Sequence, residues 1–325
     1  MEMKTNSLIK IFLVINIFTL LSCSAGKPPV DSDGRPLIVK SGTLDCDMVE
    51  TTPVVFKNRV YRFEYVRKNY WANHTGDSYF RFIDHETGAA TAPFARGFHF
   101  GSAFVNNDSV YVTAVNVPDG ERVYIFSSND LENWKCRLAL DLPGYGIFNT
   151  SLAKAENKYV MMFEIGKPEE EAGVRFTAHF ATSPDLIKWE VLSSDHNYSK
   201  DRYTAPHCLR YLDGYYYDFY LENYNGYEMR VVRSRDLITW EASPLNPVLK
   251  ASPEDRKILN KNLSENALKR VSDAVDCNNS DIDFCEFNGT LVINYSWGNQ
   301  LGEEFLAEAS YKGSLVQFLK GWFPN

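Results

Sequence analysis

The sequence predicts an all-β chain, a five-bladed β-propeller with a short helical insertion before the last blade. Three observations predict it. A seven-residue phrase recurs as Ser128-Asn129-Asp130-Leu131-Glu132-Asn133-Trp134, Ser183-Pro184-Asp185-Leu186-Ile187-Lys188-Trp189 and Ser234-Arg235-Asp236-Leu237-Ile238-Thr239-Trp240. Its tryptophans fall 55 and 51 residues apart, in the range of propeller blades. A second repeat runs in phase with it, two apolar runs joined by a polar turn, and it occurs five times. An interruption, Pro253 to Val275, delays the fifth copy and carries helix signals.

The hairpins follow in order. The first spans Pro53 to Glu64 around Lys57-Asn58, the second Ser102 to Val112 around Asn107-Asp108, and the third Ser151 to Glu164 around Glu156-Asn157. The fourth spans His207 to Glu222 around Asp213-Gly214, and the fifth Asp283 to Tyr295 around Asn288-Gly289. Asp-Gly and Asn-Gly between β-rich runs are strong hairpin signals. In the second, third and fourth repeats the Ser-x-Asp-Leu phrase reads as a later turn, with Trp anchoring the outermost strand. Such units cannot bury an apolar face alone and must stack. A β-sandwich would supply similar strands but would seldom repeat a seven-residue phrase in register. In the insertion, Ser252-Pro253-Glu254-Asp255 is a helix-start signature, and Ile258, Leu259, Leu263 and Leu268 give a loose amphipathic period. Phe305 to Tyr311 is expected as a strand of the closing blade, followed by a short helix through Phe318 and Trp322.

Composition narrows the function. Hydrophobic residues make up 44% and aromatics 14%, which suits a strand-rich protein or a carbohydrate binder. A net charge of −8 argues against nucleic-acid binding, which needs a basic stripe. Residues 1–22 carry Lys4 and Lys10, then an apolar run from Ile11 to Leu21 too short to span a bilayer, and read as a signal peptide. Leu20-Leu21-Ser22-Cys23 resembles a bacterial lipobox, with lipid attached at Cys23. Residues 23–40 are then expected as a tether, flexible over Ala25 to Pro36, and residues 41–325 as the propeller. The implied location is the cell envelope, lipid-anchored and facing the periplasm. Cys46, Cys136, Cys208, Cys277 and Cys285 lack the CxxC spacing of a zinc site. Buried thiols are the expected role for most of them, with Cys277–Cys285 as the one pairing to check.

Propeller geometry turns the hairpins into a site. The innermost strand of each blade starts at the face where the second strand ends, so residues at those ends ring one pocket. They include Glu50, His99, Asn149, Glu164, Tyr203, His207, Glu222, Asp281, Asp283 and Trp297. Carboxylates, amides and aromatic rings suit sugar hydroxyls and sugar faces. Paired carboxylates on facing blades are also what glycosidic cleavage needs, one protonated and one ionised. Like-charge repulsion in such a ring raises one pKa toward the acid role. Asp281, Asp283 and Asn149 could offer oxygen ligands to Ca²⁺, although no loop has EF-hand spacing; no cofactor is otherwise expected.

The blade count, the Ser-x-Asp-Leu-x-x-Trp phrase and the strand Glu50-Thr51-Thr52-Pro53-Val54-Val55 resemble the five-bladed propeller glycoside hydrolases, families 43, 32 and 117 among them. Thr204-Ala205-Pro206-His207, followed by Leu212-Asp213-Gly214-Tyr215-Tyr216-Tyr217, is similar to the family 43 strand that reads Glu-Gly-Pro before a Gly-Tyr-Tyr hairpin. The likeness runs over roughly residues 43–325. Where family 43 has its general acid, this chain has Thr204. Where it has its base, this chain has Thr52, with Glu50 two residues earlier. The region of the third acid reads Phe148-Asn149-Thr150-Ser151. Divergent members use His in the acid role, which draws attention to His207 and His99. The resemblance implies a glycosidase acting on a polysaccharide-derived oligosaccharide, and the ring of carboxylates around the channel supplies its expected residues: Glu50 as base or nucleophile, Asp283 or Glu222 as acid, and Glu164 and Asp281 orienting or tuning. His99, Asn149, Tyr203, His207 and Trp297 would contact the sugar. Two other readings are a sugar-binding envelope lipoprotein and an interaction propeller, the latter requiring an apolar-filled channel.

Overall fold

The computed structural model describes residues 28–67, 77–197 and 199–324. The signal peptide and the lipid-attachment residue Cys23 lie outside the described residues. Strand β1 (Val39–Cys46) comes first. Blade one holds β2 (Thr52–Phe56), β3 (Arg59–Val66) and β4 (Tyr79–Asp84); blade two holds β5 (His99–Asn106), β6 (Ser109–Val115), β7 (Arg122–Ser128) and β8 (Lys135–Asp141). Blade three holds β9 (Gly146–Lys154), β10 (Tyr159–Lys167), β11 (Thr177–Ser183) and β12 (Glu190–Val191), with a short helix α1 (Glu169–Ala172) between β10 and β11. Blade four holds β13 (Tyr203–Leu212), β14 (Tyr215–Asn223), β15 (Tyr227–Ser234) and β16 (Trp240–Ala242). After helix α2 (Glu265–Asp273), blade five holds β17 (Asn278–Phe287), β18 (Thr290–Gly298) and β19 (Glu304–Lys312), and helix α3 (Leu315–Gly321) follows. All five hairpins and the helical insertion are where the sequence places them.

The first strand of the chain is the outermost strand of its last blade: the order is β1-β19-β18-β17. The expected tether, residues 23–40, overlaps the start of this strand. The stretch before it, expected to be free, is also held. Val30 bridges Pro36, and Arg35 Nε donates to the Leu245 carbonyl at 2.9 Å.

The repeated phrase is a turn built by its own side chains. Ser128 and Ser234 each accept the amide of the phrase's Leu at 2.9 Å. Asp130, Asp185 and Asp236 each accept the amides two and three residues on, at 2.8–2.9 Å. Those bonds hold Leu131, Leu186 and Leu237 at φ of 65°, 63° and 63°, a region that side-chain-bearing residues seldom enter. The Trp then packs beside the turn. Trp134 stacks on Phe94 of blade one at 3.9 Å, and Trp240 on Phe180 of blade three at 5.8 Å.

Apolar clusters join blades one, two and three, then three and four, then four and five with α2 and α3. Among the described residues the seam between blades five and one is polar instead. Glu64 is buried there, with Arg62 at 2.8 Å and Arg81 at 2.7 Å, and His85 pairs with Glu308 at 2.9 Å.

The insertion is stapled to β1 and blade five by one carboxylate. Asp255, fully buried, takes Lys40 Nζ at 2.8 Å, the Ser252 amide at 2.8 Å and the Tyr295 hydroxyl at 2.7 Å. Gly42, at φ +120°, lies against the Lys257 carbonyl where a Cβ would collide. The five described cysteines are free; Cys208 is buried as expected, whereas Cys136 and Cys277 are exposed. Cys277 immediately precedes β17 and Cys285 lies within it, so extended backbone holds them roughly 25 Å apart, far beyond disulfide reach of about 7 Å.

Asp255→Ala should destabilise the fold by about 3–5 kcal/mol, because it strands the buried Lys40 ammonium. Replacing both by apolar residues (Lys40→Met with Asp255→Leu) should cost less, as read by urea unfolding.

Candidate active site

Inner strands β2, β5, β9, β13 and β17 line the central channel, and their first residues gather at one end of it. The cavity there is lined by Glu50, Thr51, Thr52, Gly101, Ser102, Asn149, Thr150, Pro206, His207, Asp281, Ile282 and Asp283. Its volume is about 30 Å³, room for a water or two, so a sugar ring would sit over it rather than in it. The strands change register at the mouth: bulges fall between His99 and Ser102, Thr204 and His207, and Ser280 and Asp283. Such bulges re-aim side chains. Glycine is needed at position 101 of the wall, since a Cβ there would meet Phe80 at 2.7 Å and Phe63 at 2.8 Å.

Glu50 and Asp281 face one another across blades one and five, and both sit in left-handed backbone, at φ 56° and 52°. Strained residues of this kind cluster at functional sites. Glu50 accepts from Arg67 Nη2 at 3.3 Å, and 14% of its side chain stays exposed. The Asp281 carboxyl is pushed up to about 7, first by burial and then by the Glu50 charge, against the hydrogen bond from Ser280.

Glu164 lies behind this pair. It is fully buried, accepts from Asn149 Nδ2 at 3.1 Å, and leaves Oε1 without a hydrogen-bond partner. Burial pushes it up to about 8; the charges of Glu50 and Asp281 add to that, while His207 and Asn149 oppose it.

His207 also lines the cavity, but its ring is committed. Nδ1 meets Asp218 Oδ2 at 2.8 Å and Nε2 meets the Thr204 carbonyl at 2.5 Å. Both partners accept, so the two contacts together favour the protonated ring. Burial opposes that charge, yet the Asp218 carboxylate and its hydrogen bond outweigh burial and hold the pKa above its usual value. Both ring nitrogens of His207 are thus engaged within the fold. Asp218 escapes a reading of the sequence for strand ends, although a lone carboxylate inside the apolar run Tyr215–Leu221 is a signal.

Four other expected residues are placed differently. Asp283 borders the cavity but turns to Arg210, the Phe284 amide at 2.6 Å and Cys208 Sγ at 3.5 Å. Arg210 lines a separate cavity at the far end of the channel, so this ion pair plugs the channel between the two. Asp283, expected as the acid and as a Ca²⁺ ligand, is thus engaged by Arg210 at the border of the cavity. Among the described residues no three His, Cys, Asp or Glu side chains gather as a metal site. Glu222 lies on the second strand of its blade, off the cavity, between Arg202 and Arg230 at 3.7 Å each, with the Tyr220 hydroxyl at 3.3 Å. His99 is turned between blades one and two, its Nδ1 at 2.7 Å from the Tyr65 hydroxyl. Trp297 is wholly buried, bonded to Thr43 Oγ1 at 2.9 Å and stacked on Phe305, so it presents no face to a ligand. Tyr203 sits at the rim, edge-on to Phe176 and Tyr227.

The Glu164 shift gives a stability prediction. A carboxyl whose pKa is raised by folding holds its proton in the native state across a window where the unfolded chain has lost it. Stability therefore falls as pH rises from about 4.5 to about 8. Glu164→Gln should flatten that decline, read as melting temperature against pH; equal slopes for the two proteins would refute the assignment.

No protein-family profile and no curated protein sequence matches the chain. Solved structures do. The fold is similar to that of BT0996 in an RGII complex, with a TM-score of 0.58 at 13% identity over 89% of this chain and 96% of that one. It is similar to a thermostable family-43 glycoside hydrolase, with a TM-score of 0.55 at 11% identity over 84% and 92%. The α-L-arabinofuranosidase Arb93A from Fusarium graminearum gives 0.55 at 10% identity over 85% and 98%. A Bombyx mori family-32 β-fructofuranosidase gives 0.52 at 12% over 86% and 62%. At such identities the likeness concerns backbone architecture. The chain is a five-bladed β-propeller with the fold of glycoside hydrolases of families 43 and 32.

Proposed function

We propose that the chain is a glycoside hydrolase whose working carboxylates are Glu50 and Asp281. The observation that carries this reading is their contrast in one cavity. Asp281 keeps its proton to about pH 7, while Glu50 is paired with Arg67 and partly open to solvent. A carboxyl whose surroundings hold its proton to near-neutral pH is the usual basis of an acid role. Asp281 would donate its proton to the departing glycosidic oxygen as that bond breaks. Glu50 would either take a proton from the attacking water or bond to the anomeric carbon, and one water is consumed overall. Asn149, its amide turned to Glu164, offers its carbonyl to a sugar hydroxyl. His207 supplies positive charge beneath the site, and Glu164, protonated, adds none.

This moves the acid role from Asp283 or Glu222 to Asp281, and keeps Glu50 in its expected place. The substrate class is an oligosaccharide, and the lipobox at Cys23 would hold the protein to the envelope membrane. A second reading, a sugar-binding lipoprotein, is favoured by one observation: the family 43 acid and base positions are Thr204 and Thr52.

The test is release of reducing ends from a panel of aryl glycosides and oligosaccharides. Glu50→Gln and Asp281→Asn should each lower kcat by about 10²–10⁴-fold with little change in melting temperature. Activity should fall as pH rises through about 7. Retained turnover in both variants sinks the assignment; binding without turnover selects the second reading.

A further inference from the structure

Phe148, beside the cavity residue Asn149, starts a line of rings that leads outward from the pocket. Phe176 stands edge-on to it at 4.6 Å, Tyr203 follows at 5.8 Å, and Tyr227 at 6.3 Å from Tyr203. Tyr224 lies on the same β14–β15 turn as Tyr227, with the Arg202 guanidinium over its ring at 3.9 Å. Exposure rises along the line, from 7% at Phe148 to 38% at Tyr227 and 58% at Tyr224. Core packing accounts for the inner rings but not for the two at the tip. The corresponding turns of blades two and five, residues 116–121 and 299–303, carry no aromatic residue. Blades two and five therefore lack this feature, and blade four carries it.

We infer that this rim, across blades three and four, binds a chain of neutral sugars continuing outward from the unit held over the cavity. The inference rests on the glycosidase reading for what sits at the centre. Exposed aromatic rings suit sugar faces, apolar on the ring and polar at the edge. The neutral character follows from charge pairing along the rim. Arg202 is held by Asp201 at 2.8 Å and Arg230 by Glu228 at 2.7 Å, with Glu222 3.7 Å from each, while Asp119 is shared by Arg175 at 3.7 Å and Lys167 at 3.6 Å. Those four cations face four carboxylates, so this cluster carries no surplus positive charge to select uronic or sulfated sugars. A sugar-binding rim on one side makes the preferred substrate longer than the unit cleaved.

The experiment uses ladders of xylo-, arabino-, manno-, galacto- and gluco-oligosaccharides from dimer to hexamer, with an oligogalacturonide ladder as the acidic comparison. Binding is measured by calorimetry to the Asp281→Asn protein, with and without Tyr224→Ala and Tyr227→Ala together, after matching their melting temperatures. Affinity should rise with length in a neutral ladder, and the tyrosine changes should remove about tenfold from the long members while the dimers bind alike. Length-independent affinity, equal binding after the tyrosine changes, preference for the acidic ladder, or no binding to any ladder would overturn the inference. Length-dependent binding without hydrolysis by the unsubstituted protein would overturn the catalytic reading and leave the rim standing. Turnover of aryl glycosides without length dependence would do the reverse.

Discussion

Everything in this molecule depends on β1 lying against β19. Four of the five blades are continuous runs of chain, but blade five obtains its outer strand from the other end of the sequence. Ring closure is a long-range contact, entropically costly to form. Elsewhere neighbouring blades are glued by apolar clusters, whereas the His85–Glu308 pair crosses the seam between blades five and one, and the β1–β19 ladder closes the ring within blade five. Asp255 reinforces that joint by tying the insertion to Lys40 of β1 and Tyr295 of β18. The insertion thus clasps β1 onto the rest of blade five.

The cavity inherits its chemistry from the same closure. Glu50 and Asp281 are distant in sequence and become neighbours only when blade five meets blade one. Each is placed by backbone in the left-handed region at the start of an inner strand. The raised pKa of Asp281 therefore belongs to the closed ring, not to its local sequence. Beneath them, the Arg210–Asp283 pair plugs the channel, and His207 with Asp218 places a cation against the buried Glu164. A polar, charge-balanced core of this kind differs from the apolar filling expected of a propeller that serves only as scaffold.

The architecture is legible in the sequence because blade repeats write themselves twice, once in the hairpin turns and once in the Ser-x-Asp-Leu turn. Asp130 and Asp236 cap amides that any such turn must satisfy, so the phrase recurs. The pocket-facing ends of Glu50, Asn149, His207 and Asp281 follow from strand direction alone. Orientation does not. Trp297 sits at the right end of its strand, but the period-two alternation of a strand buried on both faces leaves no mark of which face meets the pocket. Glu222 ends the second strand, one step farther from the axis than the cavity. His207 and Asp283 border the cavity as expected, yet their roles turn on Asp218 and Arg210, partners supplied by strand register and by the neighbouring blade. The bulges at the mouth, which decide what points inward, have no evident sequence signal.

The entry of the chain carries a geometric consequence. Pro36 packs against Gly321, and β1 begins opposite Ser310 near the end of β19, then runs toward the mouth of the cavity. The described residues thus start at the end of the propeller that holds the hairpin turns, away from Glu50 and Asp281. The described chain therefore enters on the face opposite the cavity mouth, and leaves that mouth and the tyrosines at its rim clear of its first residues.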